Sequence, residues 1–327
     1  MMVGAENKGP RLFDRIREVI RLKHYSLSTE KTYISWIKRY LLFHHMRHPR
    51  EMGKKEIESF LSYLAIKGKV ASSTQNQAFN AILFLYREVL DLELDGSIDA
   101  VRAKRPLRIP VVMSHDEALR VIASMSGTHR LMAQLLYGSG LRLMECLRLR
   151  VKDVDFSMHS ITIQDGKGGK GRVVMLPVVL RQPLADHMEQ VKALFEHDMQ
   201  GGFKGVSLPY ALERKYPNAS TQWGWQYVFP SKGIAKDPRT GIMRRHHAHP
   251  TNLQKAVRSA ARKALIHKPV GCHTFRHSFA TRLLEHGYDI RTVQELLGHR
   301  NVNTTMVYTH VMQRGAGAVK SPLDLRD

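Results

Sequence analysis

The sequence predicts a mainly α protein with a small β-sheet, an α+β architecture divided between two domains. Three observations carry this. A length of 327 residues suits about two domains. Apolar residues recur at helical spacing through most of the first hundred positions, and one stretch between about 160 and 176 alternates instead, on both sides of a glycine-rich turn.

The first domain, residues 1–94, contains four apolar stripes. Leu12, Ile16, Val19 and Ile20 form one, and Tyr33, Ile37, Tyr40 and Leu41 a second. Ile57, Phe60, Leu61 and Leu64 follow, and a Ser72-Ser73 cap precedes Ala78, Ile82, Leu85 and Val89. Four helices are expected. From 95 to 110 the periodicity stops, two prolines appear, and Arg102, Lys104, Arg105 and Arg108 crowd together. This reads as a basic linker lying along a phosphate backbone, with Arg102, Lys104 and Arg105 as DNA contacts.

The second domain, 111–327, opens with Ser114 and Glu117 at capping-box spacing. Helix continues to Tyr137, a Gly138-Ser139-Gly140 turn leads into a second helix, LRLMECLRL, and the period then changes. Ile161 and Ile163, DGKGGKG, then Val174 and Leu176 read as a β-hairpin. Beyond Pro177 the chain is expected to be mostly helical, with a less regular insertion around 201–250.

Charge points to the partner. The chain holds 51 Lys and Arg against 29 Asp and Glu, a formal +22, and 18 His besides. Residues 1–110 carry 20 basic and 12 acidic groups and residues 111–327 carry 31 and 17, so both halves are basic. A surface this positive repels itself unless an anion is present, and DNA releases bound counterions to Lys and Arg. No amphipathic basic helix with an aromatic face suggests a membrane. No apolar run approaches 18 residues and MMVGAENKGPRLF lacks a signal-peptide core, so a cytoplasmic protein is expected. Two cysteines, Cys146 and Cys272, make no disulfide framework.

Two motifs do not hold. Gly166 to Gly171 matches GxGxxG, but a dinucleotide site needs a helix after the glycines and here a strand follows. His246, His247 and His249 have no Cys, Asp or Glu at a spacing that completes a ligand set, so no metal is expected.

A third constellation is stronger. CHTFRHSFATRLLEHG is a helix ended by Gly287 that places His273, Arg276 and Ala280 on one face. Its sequel, LLGHRNVNTTMVYTHV, sets His299 nine residues before Tyr308. Phosphodiester chemistry without a metal needs an in-line nucleophile and fixed donors for the non-bridging oxygens. Arginine suits the second task, because its planar guanidinium grips phosphate bidentately and stays charged. Tyrosine can form a covalent phosphoester, but full ionisation at pH 7 costs about 4 kcal/mol from its pKa of about 10, so it needs a base and neighbouring cations. A lysine on a hairpin tip can protonate the departing sugar oxygen.

These residues resemble the tyrosine recombinases of the phage integrase and Xer family. GSGLRLMECLRL supplies Arg142 and its supporting acid Glu145; GKGGKGR supplies Lys167, with Lys170 the weaker match and Arg172 a further DNA contact; HTFRH supplies His273 and Arg276, LLGH His299, and MVYTH the nucleophile Tyr308. The resemblance implies a helical, SAM-like core-binding domain followed by a tyrosine recombinase catalytic domain. It implies strand exchange through a 3′-phosphotyrosyl bond, without ATP, metal or other cofactor. Arg142, Arg276 and His299 would stabilise the pentacoordinate phosphate, Lys167 would be general acid, and His273 general base or orienting donor.

The insertion, with ALERKYPNAS, WGWQYVFPS, DPRTG and MRRHH, resembles the extra segment of integron integrases, and HYSLSTEKTY, GSGLRLMEC and GAGAVKSPLD are similar to other parts of those enzymes. That resemblance implies recombination between a duplex attI site and attC sites folded as single-stranded hairpins. Splayed bases are held by stacking on aromatic or imidazole rings, for which Trp225, His246 and His247 are candidates, with Arg244 and Arg245 on the backbone. The rivals are a Xer-like or phage-type recombinase using only duplex sites, and a DNA-binding protein without catalysis. Family likeness also implies a homo-tetramer on DNA, a monomer when free, and a swap tail at 311–327.

Overall fold

A computed structural model describes residues 11–94, 96, 98–103, 110–164, 171–203, 205–208, 212–237 and 240–309. The chain divides into two compact units, Met1–Leu107 and Arg108–Asp327.

Among the described residues, four α-helices build the first unit: α1 (Leu12–Leu22), α2 (Leu27–Phe43), α3 (Lys54–Ile66) and α4 (Ser72–Phe84), the last widening into a π-helical turn at Leu85–Val89. Each buries the expected stripe. Ile16, Ile20, Ile37, Tyr40, Ile57, Leu61, Leu64, Ile82 and Val89 form one core, because helical spacing aligns them on inward faces. Ser26 caps α2 by accepting from the Thr29 amide at 3.1 Å. Helix α4 starts one residue earlier than the Ser72-Ser73 cap implies: Ala71 is in the cap position, with extended backbone.

Part of the segment expected as a linker packs on the first unit. Ala100 is buried in the first unit's core, and Gln75 holds the strap by donating to the Val101 carbonyl at 2.7 Å and accepting from the Ala103 amide at 2.9 Å. Arg102 lies over the Phe79 ring, 5.6 Å from its centroid. Lys104 and Arg105 fall outside the described residues.

In the second unit, α5 (His115–Ala123) opens with the expected capping box: Ser114 Oγ accepts from the Glu117 amide at 3.1 Å and Glu117 returns the bond at 2.8 Å. Then come α6 (Gly127–Gly138), a short α7 (Leu143–Leu147), and an antiparallel sheet of β1 (Val154–Asp155), β2 (Ser160–Ile163) and β3 (Arg172–Met175). Ile161 pairs with Val174 and Ile163 with Arg172, which turns Ile161, Ile163 and Val174 inward. Helix α8 (Arg181–Gln200) leads to the insertion, where α9 (Leu212–Lys215) and the two-residue strands β4 (Ala235–Lys236) and β5 (Met243–Arg244) surround Phe203, Val206, Leu208, Ala219 and Tyr227.

The chain closes with α10 (Pro250–Lys263), α11 (Cys272–Glu285), α12 (Ile290–Leu297) and α13 (Asn303–Met306). Helices α10 and α11 pack on α5 and α6, and β3 lies against α12. Asp289 caps α12 by accepting from the Arg291 and Thr292 amides, both at 2.9 Å, and Gly298 ends it in the left-handed conformation at φ 61°. No described helix is long and apolar enough to cross a membrane.

Candidate active site

The site begins at a glycine that only glycine can fill. Gly140 has φ +63°, and a Cβ there would lie 2.4 Å from the Phe279 ring on α11. This close approach carries the chain from α6 into α7 with Arg142 as the first residue outside the helix. Glu145 then ties Arg142 down twice, accepting from its backbone amide at 2.8 Å and from Nη1 at 2.7 Å.

Arg172 reaches the same carboxylate from β3, with Nη1 at 2.9 Å and Nη2 at 2.6 Å. Burial alone would raise the Glu145 pKa, but the Arg172 fork and charge, with the Arg142 amide and guanidinium, outweigh it and hold the group at about 2.

The C-terminal end of α12 gathers three guanidinium groups. A helix leaves its last carbonyls unpaired and negative. Here Leu296 O accepts from Arg172 Nε at 2.8 Å, Leu297 O from Arg276 Nη2, and Gly298 O from Arg142 Nη2 at 3.3 Å. Arg276 Nη1 also donates to Gly140 O at 2.6 Å. Three cations face one carboxylate, so the cluster keeps an excess positive charge with donors fixed in place. Arg276 is 3% exposed, and burial followed by the Arg142 charge lowers its pKa to about 10, still protonated at neutral pH.

Three imidazoles and a phenol complete the cluster. His299 Nε2 sits 3.3 Å from Arg276 Nη2 and Nδ1 sits 2.9 Å from Thr305 Oγ1, so Nε2 accepts and Nδ1 donates. Burial and the Arg276, Arg142 and Arg172 charges hold His299 at about 4, hence neutral. Its ring stacks on Tyr308 at 6.4 Å. Tyr308 is 3% exposed, packed among Phe279, Ala280, Leu284, Val293 and Leu297, and its hydroxyl meets Nδ1 of His277 at 3.0 Å. Burial raises the phenol pKa, while Arg276 and Arg142 act to lower it. His273 is exposed, its ring 5.7 Å from that of His277, with a pKa lowered by partial desolvation and then by Arg276 and Arg142.

Arg142, Glu145, His273, Arg276, His299 and Tyr308 therefore lie together. Lys167, Lys170 and the tail 311–327 fall outside the described residues. Three residues expected as DNA contacts have protein partners. Arg172 is spent on Glu145 and the end of α12. Arg244 is buried, donating to Val206 O at 2.7 Å and Glu213 at 2.6 Å, and Arg245 is buried against Asp198 at 2.5 and 2.7 Å. Both are buried and hold the insertion together, Arg245 in an enclosed pair with Asp198 and Arg244 with a partly exposed Glu213. Trp225 is half-buried under the Lys152 ammonium, 4.6 Å from its ring, and near Tyr216. His246 and His247 are half-buried; His247 meets Tyr227 edge to face at 5.5 Å. The sequence reading missed His277, whose only signal is its place four residues after His273 and next to Arg276.

Comparisons with known proteins give the family. Residues 12–96 match the N-terminal SAM-like domain of phage integrases and residues 111–314 match the phage integrase family. An integrase/recombinase of Escherichia coli is 48% identical over 314 residues, covering 96% of this chain and 93% of that protein. The tyrosine recombinase XerD of Listeria monocytogenes is 29% identical over 275 residues, 80% of each chain. In fold, the chain resembles a lambda integrase dimer bound to a COC′ core site (TM-score 0.60, 16% identity, covering 94% and 98%) and the XerH site-specific recombinase bound to difH substrate in a post-cleavage complex (0.59, 20%, 94% and 83%). The chain belongs to the phage integrase family, the tyrosine-type site-specific recombinases.

Proposed function

We propose that this chain cuts and rejoins DNA through Tyr308. The observation that carries the reading is that one chain brings Tyr308, its ring stacked on His299, together with two arginines, Arg142 and Arg276, that bond the end of α12. A DNA phosphate seated there exchanges carbonyl partners for its own oxygens as acceptors of Arg142 and Arg276, and matches the excess charge. Tyr308 attacks phosphorus in line and forms a 3′-phosphotyrosyl bond. The 5′ oxygen leaves with a proton from Lys167 and later attacks the phosphotyrosine of a partner strand. His299 binds the phosphate beside Arg276, and His273 orients it. Glu145 and Arg172 position Arg142. The covalent bond conserves the energy of the phosphodiester, so no nucleotide is consumed.

The finer reading is recombination of gene cassettes between a duplex attI-type site and attC-type sites folded from one strand, by a homo-tetramer assembled on DNA from free monomers, the tail 311–327 docking on a neighbouring copy. Supporting it is the sequence likeness of the insertion, which holds its own apolar cluster with Trp225 at its edge; Trp225, His246 and His247, all half-buried, are the candidate stacking surfaces for splayed bases.

Denaturing electrophoresis with a nicked attI-type duplex tests the chemistry: a protein–DNA adduct forms with the wild type and not with Tyr308→Phe. Affinity for a folded attC-type strand against the same sequence as duplex tests the substrate. Equal or reversed preference favours a recombinase of duplex sites alone.

A further inference from the structure

We infer that His277 is the residue that holds the Tyr308 hydroxyl in the free protein and takes its proton when a phosphate is seated. The inference rests on the reading of Tyr308 as nucleophile.

Geometry selects His277 among the imidazoles. Tyr308 is enclosed, so its O–H must find a partner inside the protein, and Nδ1 of His277 lies 3.0 Å from it. The buried donor is satisfied when Nδ1 accepts and the ring carries its proton on Nε2. His299 stacks on the phenol but has both nitrogens engaged, with Thr305 and Arg276. His273 meets the edge of the His277 ring and not the phenol. The rings of His277 and Tyr308 lie 5.6 Å apart and tilted at 51°. Helix α11 fixes this pairing, because Arg276 next along the chain is buried and anchored to Gly140 and Leu297.

The surroundings make the acceptor conditional. His277 faces His273 and Arg276 from its own helix, Tyr308 from the segment after α13, and, across the cluster, His299. Burial, then His273 and Arg276, hold its pKa at about 4, so while the site is free of DNA it accepts a hydrogen bond and leaves the phenol protonated. A phosphate anion beside Arg142 and Arg276 cancels the positive field that opposes an imidazolium. The acceptor thus strengthens only when the substrate is in place, which protects the nucleophile from ionising without DNA.

The step balances. The Oη–H bond breaks and an Nδ1–H bond forms; the freed pair makes the Oη–P bond; the P–O5′ bond breaks and O5′ receives a proton from the general acid. In rejoining, O5′ returns its proton to that group and the departing phenolate recovers its own from His277.

His277→Asn tests this, since the amide oxygen keeps an acceptor near the Nδ1 position and cannot hold a proton. With a nicked attI-type duplex, His277→Asn should bind DNA and unfold like the wild type but form the adduct about 100-fold more slowly at pH 7. Its rate should climb roughly tenfold per pH unit as hydroxide replaces the imidazole, while the wild type levels off. A 5′-bridging sulfur, which needs no protonation to leave, should not restore it. A folded His277→Asn within twofold of wild type from pH 6 to 9, or full rescue by the sulfur substrate, overturns the inference and leaves Tyr308 as nucleophile intact. Absence of any wild-type adduct overturns both.

Discussion

Glu145 and Arg172, 27 residues apart in sequence, meet fork to fork at 2.9 and 2.6 Å. The pair joins a helix start to a strand, and Arg172 also takes the Leu296 carbonyl, so one side chain ties β3, α7 and α12 into a frame for Arg142.

Lysine cannot reproduce that frame, because a single ammonium lacks the planar fork. Arg172→Lys should destabilise the second unit by about 2 kcal/mol in urea unfolding, with Arg172→Ala costing roughly 3. Both should slow adduct formation more than they weaken DNA binding, since Arg142 loses its support and not its charge.

Acid should expose the same pair. Glu145 has a folded pKa of about 2, below its ordinary 4.5, so its stabilisation is fully present above 4.5 and lost as pH falls toward 2. The stability difference between wild type and Glu145→Gln, followed by urea unfolding from pH 7 to 2, should shrink across that window. A difference that stays constant throughout would contradict the assignment.

Gly140→Ala combines an unfavourable positive φ with a Cβ 2.4 Å from the Phe279 ring. It should cost about 2 kcal/mol or more, and Phe279→Leu in the same chain should recover part of the loss, which a double-mutant cycle on thermal unfolding reads directly.

Arg245→Ala leaves Asp198 buried and unpaired, so it should destabilise by about 3 to 5 kcal/mol. The salt dependence of DNA affinity should not change, because the guanidinium is enclosed; a slope reduced by about one would mean that it reaches a phosphate.

Much of this was legible beforehand where the signal is local. Stripes at three- and four-residue spacing gave the four helices of the first unit, and alternation gave the β2–β3 pair, because periodicity records burial. The capping box at Ser114 and Glu117 is four residues of chemistry and formed as read. Charge was a poorer guide. Arg244 and Arg245 looked like surface contacts, yet each found an acid 31 or 47 residues away in sequence, and no local pattern announces such partners. The same holds for Arg172 and Glu145. His277 went unread because one histidine among many in a basic helix carries no message until the fold places Tyr308 against it.

The most direct measurement is to trap the adduct on a nicked duplex, digest it with trypsin, and locate the nucleotide by mass spectrometry. A DNA remnant on the peptide Asn301 to Arg314, at Tyr308, and no adduct with Tyr308→Phe, is the predicted result. A remnant on any other residue, or an adduct that persists in Tyr308→Phe, contradicts the account.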